Sequence, residues 1–327
     1  MSSRFNNKRL IYLLTGLISI LVLTVLFKIP KESATLKSRI VEFDTAEVNK
    51  IMLYPKVSNG KVVEFFKNNG KWNVQQGDIF AMPNTGAVRN IFNEVLNIRP
   101  QSLAAVNKSK WQEFELTDSL GTRIKFLNKK GKTLADLMIG KISYKPQENP
   151  SGGYGGNNMQ VSSFVRLYSE QKIYSVDGLL SFSFNVKFED WRDKTFIKSE
   201  KNDIMNVRFI YPADSSFILN KKGNSWQIAN QVADSVSVSN WLASLVSMNG
   251  ETFRDKFKPV SSPVYQMIIE GNNLLNISIK CFQEEGKGDL ILNSNLNPDV
   301  YFMMKKEELF EKLLKPQKYF FKTISKR

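Results

Sequence analysis

The 327-residue chain contains no histidine. That absence removes Ser-His-Asp and Cys-His triads and every histidine-ligated zinc site. Cysteine is almost missing too: Cys281 stands alone, inside the apolar run Ile277-Ser278-Ile279-Lys280-Cys281-Phe282. No disulfide can form within the chain, and a thiol among such neighbours reads as a buried structural residue. Long apolar runs are scarce. One occurs, Leu10–Phe27, free of charge and proline, and no second run of that length follows. Acids are outnumbered, with 31 Asp and Glu against 46 Lys and Arg, a formal net charge of +15.

The run Leu10–Phe27 carries only Thr15, Ser19 and Thr24 as hydroxyls, which can bond back to their own helix. A helix of that length extends roughly 27 Å, close to the hydrocarbon thickness of a bilayer. Arg4, Lys8 and Arg9 precede it, and Lys28–Ala34 offers no small-residue processing site. This pattern predicts an uncleaved signal anchor: residues 1–9 a basic tail, 10–27 a single transmembrane helix, 28–45 a linker. Lys28, Lys31, Lys37 and Arg39 flank the far end, so charge bias nearly cancels. A short basic tail ahead of a first apolar segment stays inside, which places the main domain on the periplasmic side of the inner membrane.

Hydrophobic residues at 42% and aromatics at 12% suffice for a packed core over the rest of the chain. The excess charge would suit nucleic acid or anionic lipid. Lys and Arg are nevertheless scattered along the chain with no recognisable nucleic-acid module, so a solvated basic surface is expected and nucleic acid is not an expected partner.

Beyond the linker the pattern turns to strands. Ile51 and Leu53, then Val62, Val63, Phe65 and Phe66, flank a break at Pro55–Gly60; Asn68-Asn69-Gly70 turns into a strand with Trp72 and Val74. Val88, Ile91, Phe92, Val95 and Leu96 then share one helical face, with Asn84 or Thr85 as the expected cap. The second half repeats this order. Val207, Phe209 and Tyr211, then Phe217 and Leu219, flank Pro212-Ala213-Asp214. Lys221–Asn224 turns into the Trp226 strand, and Asp234 or Ser235 caps a helix bearing Val238, Trp241, Leu242, Leu245 and Val246. The ends correspond as well, Lys172–Val176 running into Leu179-Leu180 and Asp299–Met303 into Leu309-Phe310.

The expected fold is therefore α+β. An N-terminal transmembrane helix precedes a duplicated, mainly antiparallel β-sheet unit with an amphipathic helix in each half. The units span 46–195 and 203–314, with a junction at 196–202 and a basic aromatic tail at 315–327. Trp72 and Trp226 could stack on ligands, but the same residue at the same point of both halves favours packing.

The Trp strand, the capped helix and the later strand ending in an aliphatic-Tyr step resemble a bacterial family known as domain of unknown function 4340. Phe188-Glu189-Asp190-Trp191-Arg192-Asp193-Lys194 is similar to the segment that closes that family's first unit. Related domains occur in auxiliary subunits of ABC-type systems linked to gliding motility in Bacteroidetes. The resemblance thus implies an envelope neighbourhood and brings no catalytic residue, cofactor or metal.

Three stretches could carry function. Asn149–Asn158 is glycine-rich, but a phosphate loop needs Gly-Lys-Ser/Thr opening a helix. Here Asn157-Asn158-Met159 leads into the strand-like Val161–Val165, so a hairpin tip is expected, with Tyr154, Asn157 and Asn158 as candidate partner contacts. Glu189, Asp190, Arg192, Asp193 and Lys194 alternate in sign, as local ion pairs at the junction would, and Trp191 is expected to insert between the halves. In the tail, Lys318, Lys322, Lys326 and Arg327 interleave with Tyr319, Phe320 and Phe321. That mixture suits an anionic membrane surface, while the competing reading docks the aromatics on the domain.

The leading functional expectation is non-enzymatic: an extracytoplasmic interaction or scaffold protein with a protein partner in an envelope complex, anchored through 10–27. The alternative is a ligand-binding or hydrolytic domain using carboxylates such as Asp190 or Asp193 in a cleft between the halves.

Overall fold

The computed structural model describes residues 12, 14–19, 36, 38–146, 159–284 and 288–322. The first lobe opens as an antiparallel meander: β1 (Val48–Tyr54), β2 (Val63–Asn68), β3 (Lys71–Gln76) and β4 (Ile79–Ala81). Helix α1 (Ala87–Leu96) follows, and β5 (Pro100–Ala105) crosses to the far edge. Then β6 (Thr122–Asn128) returns beside β1, and β7 (Thr133–Pro146), β8 (Met159–Leu167) and β9 (Ile173–Asp177) complete the sheet. Its order is β4-β3-β2-β1-β6-β7-β8-β9-β5. Two short helices, α2 (Leu180–Phe184) and α3 (Phe188–Trp191), close the lobe.

The chain crosses on β10 (Thr195–Lys198) into a second lobe of the same plan. Its strands are β11 (Ile204–Ile210), β12 (Phe217–Lys222), β13 (Ser225–Ile228) and β14 (Gln231–Val232), then helix α4 (Ser235–Ser244). After β15 (Ser247–Asn249) and β16 (Thr252–Phe253) come β17 (Tyr265–Gly271), β18 (Leu274–Gln283), β19 (Leu290–Ser294), β20 (Asn297–Met304) and helix α5 (Lys306–Lys312). The order β14-β13-β12-β11-β17-β18-β19-β20-β16 matches the first sheet strand for strand. Even the irregularities coincide: the β1–β6 register shifts between Val48 and Lys50, and the β11–β17 register shifts between Ile204 and Asn206. The expected duplication is therefore present.

Alternation explains each lobe's core. Ile51, Leu53, Phe65, Ile124, Phe126 and Leu137 face one side of the first sheet, where Val88, Ile91 and Val95 of α1 cover them. In the second lobe Val207, Phe209, Leu219, Met267, Ile269 and Ile279 meet Val238, Trp241 and Leu242 of α4. Trp72 and Trp226 are half-buried against these cores, as packing residues.

Several expectations are corrected. The molecule is mainly β, 44% strand against 19% helix, because each nine-stranded sheet carries a single long helix. Among the described residues no helix is long and apolar enough to cross a membrane. Of 10–27, Tyr12 and residues 14–19 are described, helical and exposed, and the rest lies outside the described residues. The transmembrane helix of the expected fold is therefore not found among the described residues. The first lobe starts before residue 46: Ile40 and Val41 are core residues, and the Ile40 N–H donates to the Ile98 carbonyl at 3.1 Å. The second lobe starts within the expected junction, with Phe196 and Ile197 in its core, and its core runs past 314 to Phe320. Helix α1 is capped by neither Asn84 nor Thr85; its N-cap is Gly86 at φ 83, a left-handed conformation that glycine adopts without strain. Asp234 caps α4 as expected, accepting the Ser237 N–H at 3.0 Å.

Candidate functional site

The closing segment Phe188–Lys194 stitches the lobes together. Trp191 sits edge-on against Phe65, ring centres 5.4 Å apart, in the core of the first lobe. The insertion between the halves expected of Trp191 is therefore not found. Its carbonyl accepts the Asn84 N–H at 2.7 Å, and Met82 accepts the Asp193 N–H at 2.9 Å, which fastens the segment to the end of the first meander. The second lobe repeats the first of these bonds, with the Phe320 carbonyl accepting the Asp234 N–H at 2.7 Å.

Arg192 points the other way, into the second lobe. It is 2% exposed and forms a two-pronged pair with Asp255, at 2.9 and 2.5 Å, while its guanidinium lies 3.6 Å from the centre of the Phe253 ring. A planar guanidinium suits both the carboxylate fork and the aromatic face. Two bonds to main-chain carbonyls complete the latch: the Asn297 side-chain Nδ2 donates to the Asp193 carbonyl at 3.2 Å and the Gly250 N–H to the Lys194 carbonyl at 2.8 Å. β10 then pairs with β15.

The acids offered as a catalytic pair are occupied structurally. Asp190 accepts from Lys194 Nζ at 3.0 Å, and Asp193 Oδ1 accepts the Thr195 N–H at 2.9 Å. The expected ion pairing is thus real for Lys194, while Arg192 finds its partner across the junction. Among the described residues no group of three or more His, Cys, Asp or Glu could hold a metal. Cys281 is fully buried, and burial pushes its thiol up to about 12, so it holds its proton and packs as an apolar residue.

The outer face of the first sheet carries a second buried arginine. Arg166, 2% exposed, stacks 3.6 Å from the Trp111 ring and donates to the carbonyls of Leu116, Leu167 and Tyr168. Beside it Arg123 lies 3.4 Å from the Tyr168 ring and forks onto Asp136 at 2.8 and 2.6 Å. These stacks bind the β5–β6 connection to the sheet, and burial holds Arg166 below its ordinary value. No carboxylate pairs with Arg166 among the described residues, and backbone carbonyls take up its hydrogen bonds instead.

Strands β7 and β8 run past their neighbours. β6 accompanies β7 only as far as Thr122–Ile139 and β9 reaches β8 only at Ser162–Asp177, yet β7 and β8 continue as Tyr144–Val161, Lys145–Gln160 and Pro146–Met159. This projecting ribbon leaves Tyr144 54% and Met159 48% exposed. Among the described residues the second lobe has no counterpart: its last β18–β19 pair, Gln283–Leu290, is flanked by β20 through Leu290–Met304. Tyr154, Asn157 and Asn158, in the connection between β7 and β8, lie outside the described residues.

The tail residues separate. Phe320 is 0% exposed, ring centres 5.2 Å from Trp241 and 6.0 Å from Phe209. Tyr319 and Phe321 pack on the same core, while Lys318 and Lys322 stay in solvent. The aromatics are used inside the lobe, as the competing reading has it; Lys326 and Arg327 lie outside the described residues.

Two concavities are built by helices. One of about 490 Å³ in the second lobe is lined by Trp241, Ser247, Met248, Glu251, Glu311 and Lys315 among others. One of about 210 Å³ in the first lobe lies among α1, α2 and α3, with Asn84, Asn90, Glu94, Ser183, Asp190 and Trp191 on its walls. Each belongs to a single lobe, and neither is the cleft between the halves.

No curated protein and no solved structure matches the chain. Residues 81–265 match the family described as "Domain of unknown function (DUF4340)". The match runs from the end of the first meander, through the latch, to the start of β17, so it spans the junction that Arg192 and Asp255 lock. The chain belongs to the DUF4340 family.

Proposed function

We propose that the protein is a non-catalytic interaction subunit, a locked pair of lobes that presents the β7–β8 ribbon to a protein partner. The ribbon carries the reading. It is the one place described above where the duplicated plan is broken by an extension, and it exposes an aromatic and a methionine on unpaired strand edges. Such edges accept another strand through main-chain bonds, and flexible apolar side chains beside them add contact area. Tyr154, Asn157 and Asn158 belong to the same contact. The resemblance to auxiliary subunits supports an ABC-type envelope assembly as the source of the partner.

A photo-crosslinking amino acid at position 144, in the full chain expressed in its own cells, tests this. The expected result is one discrete protein adduct, absent when the group is placed at the exposed position 275 of the second lobe. Equal adducts from both positions, or none from 144, would remove the ribbon as a contact.

A further inference from the structure

The chain enters the first lobe beside the end of α1. The residues ahead of β1 run along those that follow the helix, and the Ile40 N–H donates to the Ile98 carbonyl at 3.1 Å. The second lobe repeats and extends this contact. There the Ser199 N–H donates to the Val246 carbonyl at 3.0 Å, and β10 pairs with β15 so that Lys198 stands opposite Ser247. Ile98 and Val246 each lie two residues beyond the end of a ten-residue helix, which makes Arg39 and Arg99 the counterparts of Lys198 and Ser247. The same plan therefore sets a lysine against a serine in one lobe and two arginines against each other in the other.

Both arginines are exposed, and both line one concavity of about 480 Å³ together with Ser38 and Glu42. Like charges directly opposite each other destabilise a strand pair. Other guanidiniums of the fold find acceptors: Arg123, Arg192 and Arg254 each reach a carboxylate. Among the described residues no hydrogen bond or ion pair engages the side chain of Arg39 or Arg99, and Glu42 pairs with neither. An anion with more than two oxygens satisfies both at once. A carboxylate is spent on a single guanidinium fork, whereas a phosphate has oxygens for two. Glu42 adds a second requirement. A bare inorganic anion would face its charge, while a phosphate ester whose alcohol carries a hydroxyl or ammonium group would donate to it.

We propose that Arg39 and Arg99 clamp the phosphate of a phosphate ester, free or as a lipid headgroup, while Glu42 accepts a hydrogen bond from its alcohol part. This site is independent of the ribbon contact.

The full chain is titrated calorimetrically with glycerol 3-phosphate and with methyl phosphate, which has no free hydroxyl on its alcohol. In parallel it is sedimented with phosphatidylcholine vesicles that contain or lack phosphatidylglycerol. Arg39→Gln/Arg99→Gln is compared with Lys129→Gln/Lys130→Gln, which removes the same charge from an exposed hairpin tip of the same lobe. All four side chains are exposed, so Tm should not change. The expected result is saturable binding of glycerol 3-phosphate that the arginine variant weakens at least tenfold, on the order of one lost hydrogen bond to a charged group, and that the lysine variant leaves alone. Glu42→Gln should narrow the preference for glycerol 3-phosphate over methyl phosphate. A fall in phosphatidylglycerol-dependent sedimentation with the arginine variant alone identifies a lipid headgroup as the ligand; unchanged sedimentation identifies a free ester. No saturable binding of glycerol 3-phosphate, equal losses in the two double variants, or a preference that Glu42→Gln leaves unchanged overturns the proposal.

Discussion

Single side chains decide where chemistry is absent and where packing is tight. Burial holds the Cys281 thiol protonated, so a thiol reagent at pH 8 should label the native chain negligibly and label it fully once denatured. Rapid labelling of folded protein would contradict the burial. Gly250 is a second sensitive point. A Cβ there would lie 2.1 Å from the Phe302 ring, so Gly250→Ala is expected to cost about 1–3 kcal/mol, readable in a urea midpoint. The thiol's character was legible in the sequence, because Ile-Lys-Cys-Phe leaves little room for another role. The Gly250 contact was not, since nothing near position 250 announces a ring that arrives from position 302. Trp191 was legible as a buried aromatic but not as belonging to the first lobe, because a residue at a boundary packs equally well, on sequence alone, to either side.

Among elements, helix α4 shows how pH enters. The Ser237 backbone N–H, then its hydroxyl, hold Asp234 below its ordinary 3.8. A depressed carboxylate contributes stability above its unfolded-state value, and that contribution is lost as pH falls through the folded-state value. Asp234→Ala should therefore lower Tm at pH 7, and the gap from wild type should shrink below pH 3.8; a gap constant across that range would exclude the cap as its cause. The C-terminal turn Gln317–Phe320 is a second case. Phe320→Ala removes a fully buried ring beside Trp241 and Phe209 and should cost about 3–5 kcal/mol, unfolding the second lobe at a lower urea concentration than wild type. Meander strands and both long helices were readable from period and turn residues. The jump of β5 and β16 to the far edge was not, because long-range pairing leaves no local periodicity. The transmembrane helix expected over 10–27 from its apolar, uncharged run and basic flanks is not found among the described residues.

At the scale of the whole molecule, the two lobes are one plan used twice and then locked by a pair of residues 63 positions apart. Removing one partner of a buried pair leaves the other uncompensated, so Arg192→Ala should cost up to about 3 kcal/mol, at the low end because Asp255 keeps 27% of its side-chain exposure. Calorimetry should then show two transitions, one per lobe, where wild type shows one; a single unshifted transition in the variant would mean the latch is idle. Duplication was legible because both halves punctuate the chain alike, from Gly-turn-Trp strand to amphipathic helix. The latch itself was hidden, since Asp255 lies in a loop whose sequence gives no sign of its partner.

The interaction role can be tested most directly by shortening the ribbon. Replacing residues 144–161 with Asn-Gly joins Ser143 to Ser162, which already face each other across the strands, through a two-residue hairpin turn. Native electrophoresis of gently solubilised cells then compares the full chain with this variant. The account predicts that the wild-type chain migrates in an assembly larger than itself and the shortened chain migrates alone, with an unchanged Tm. Co-migration of both in the same large assembly would contradict it.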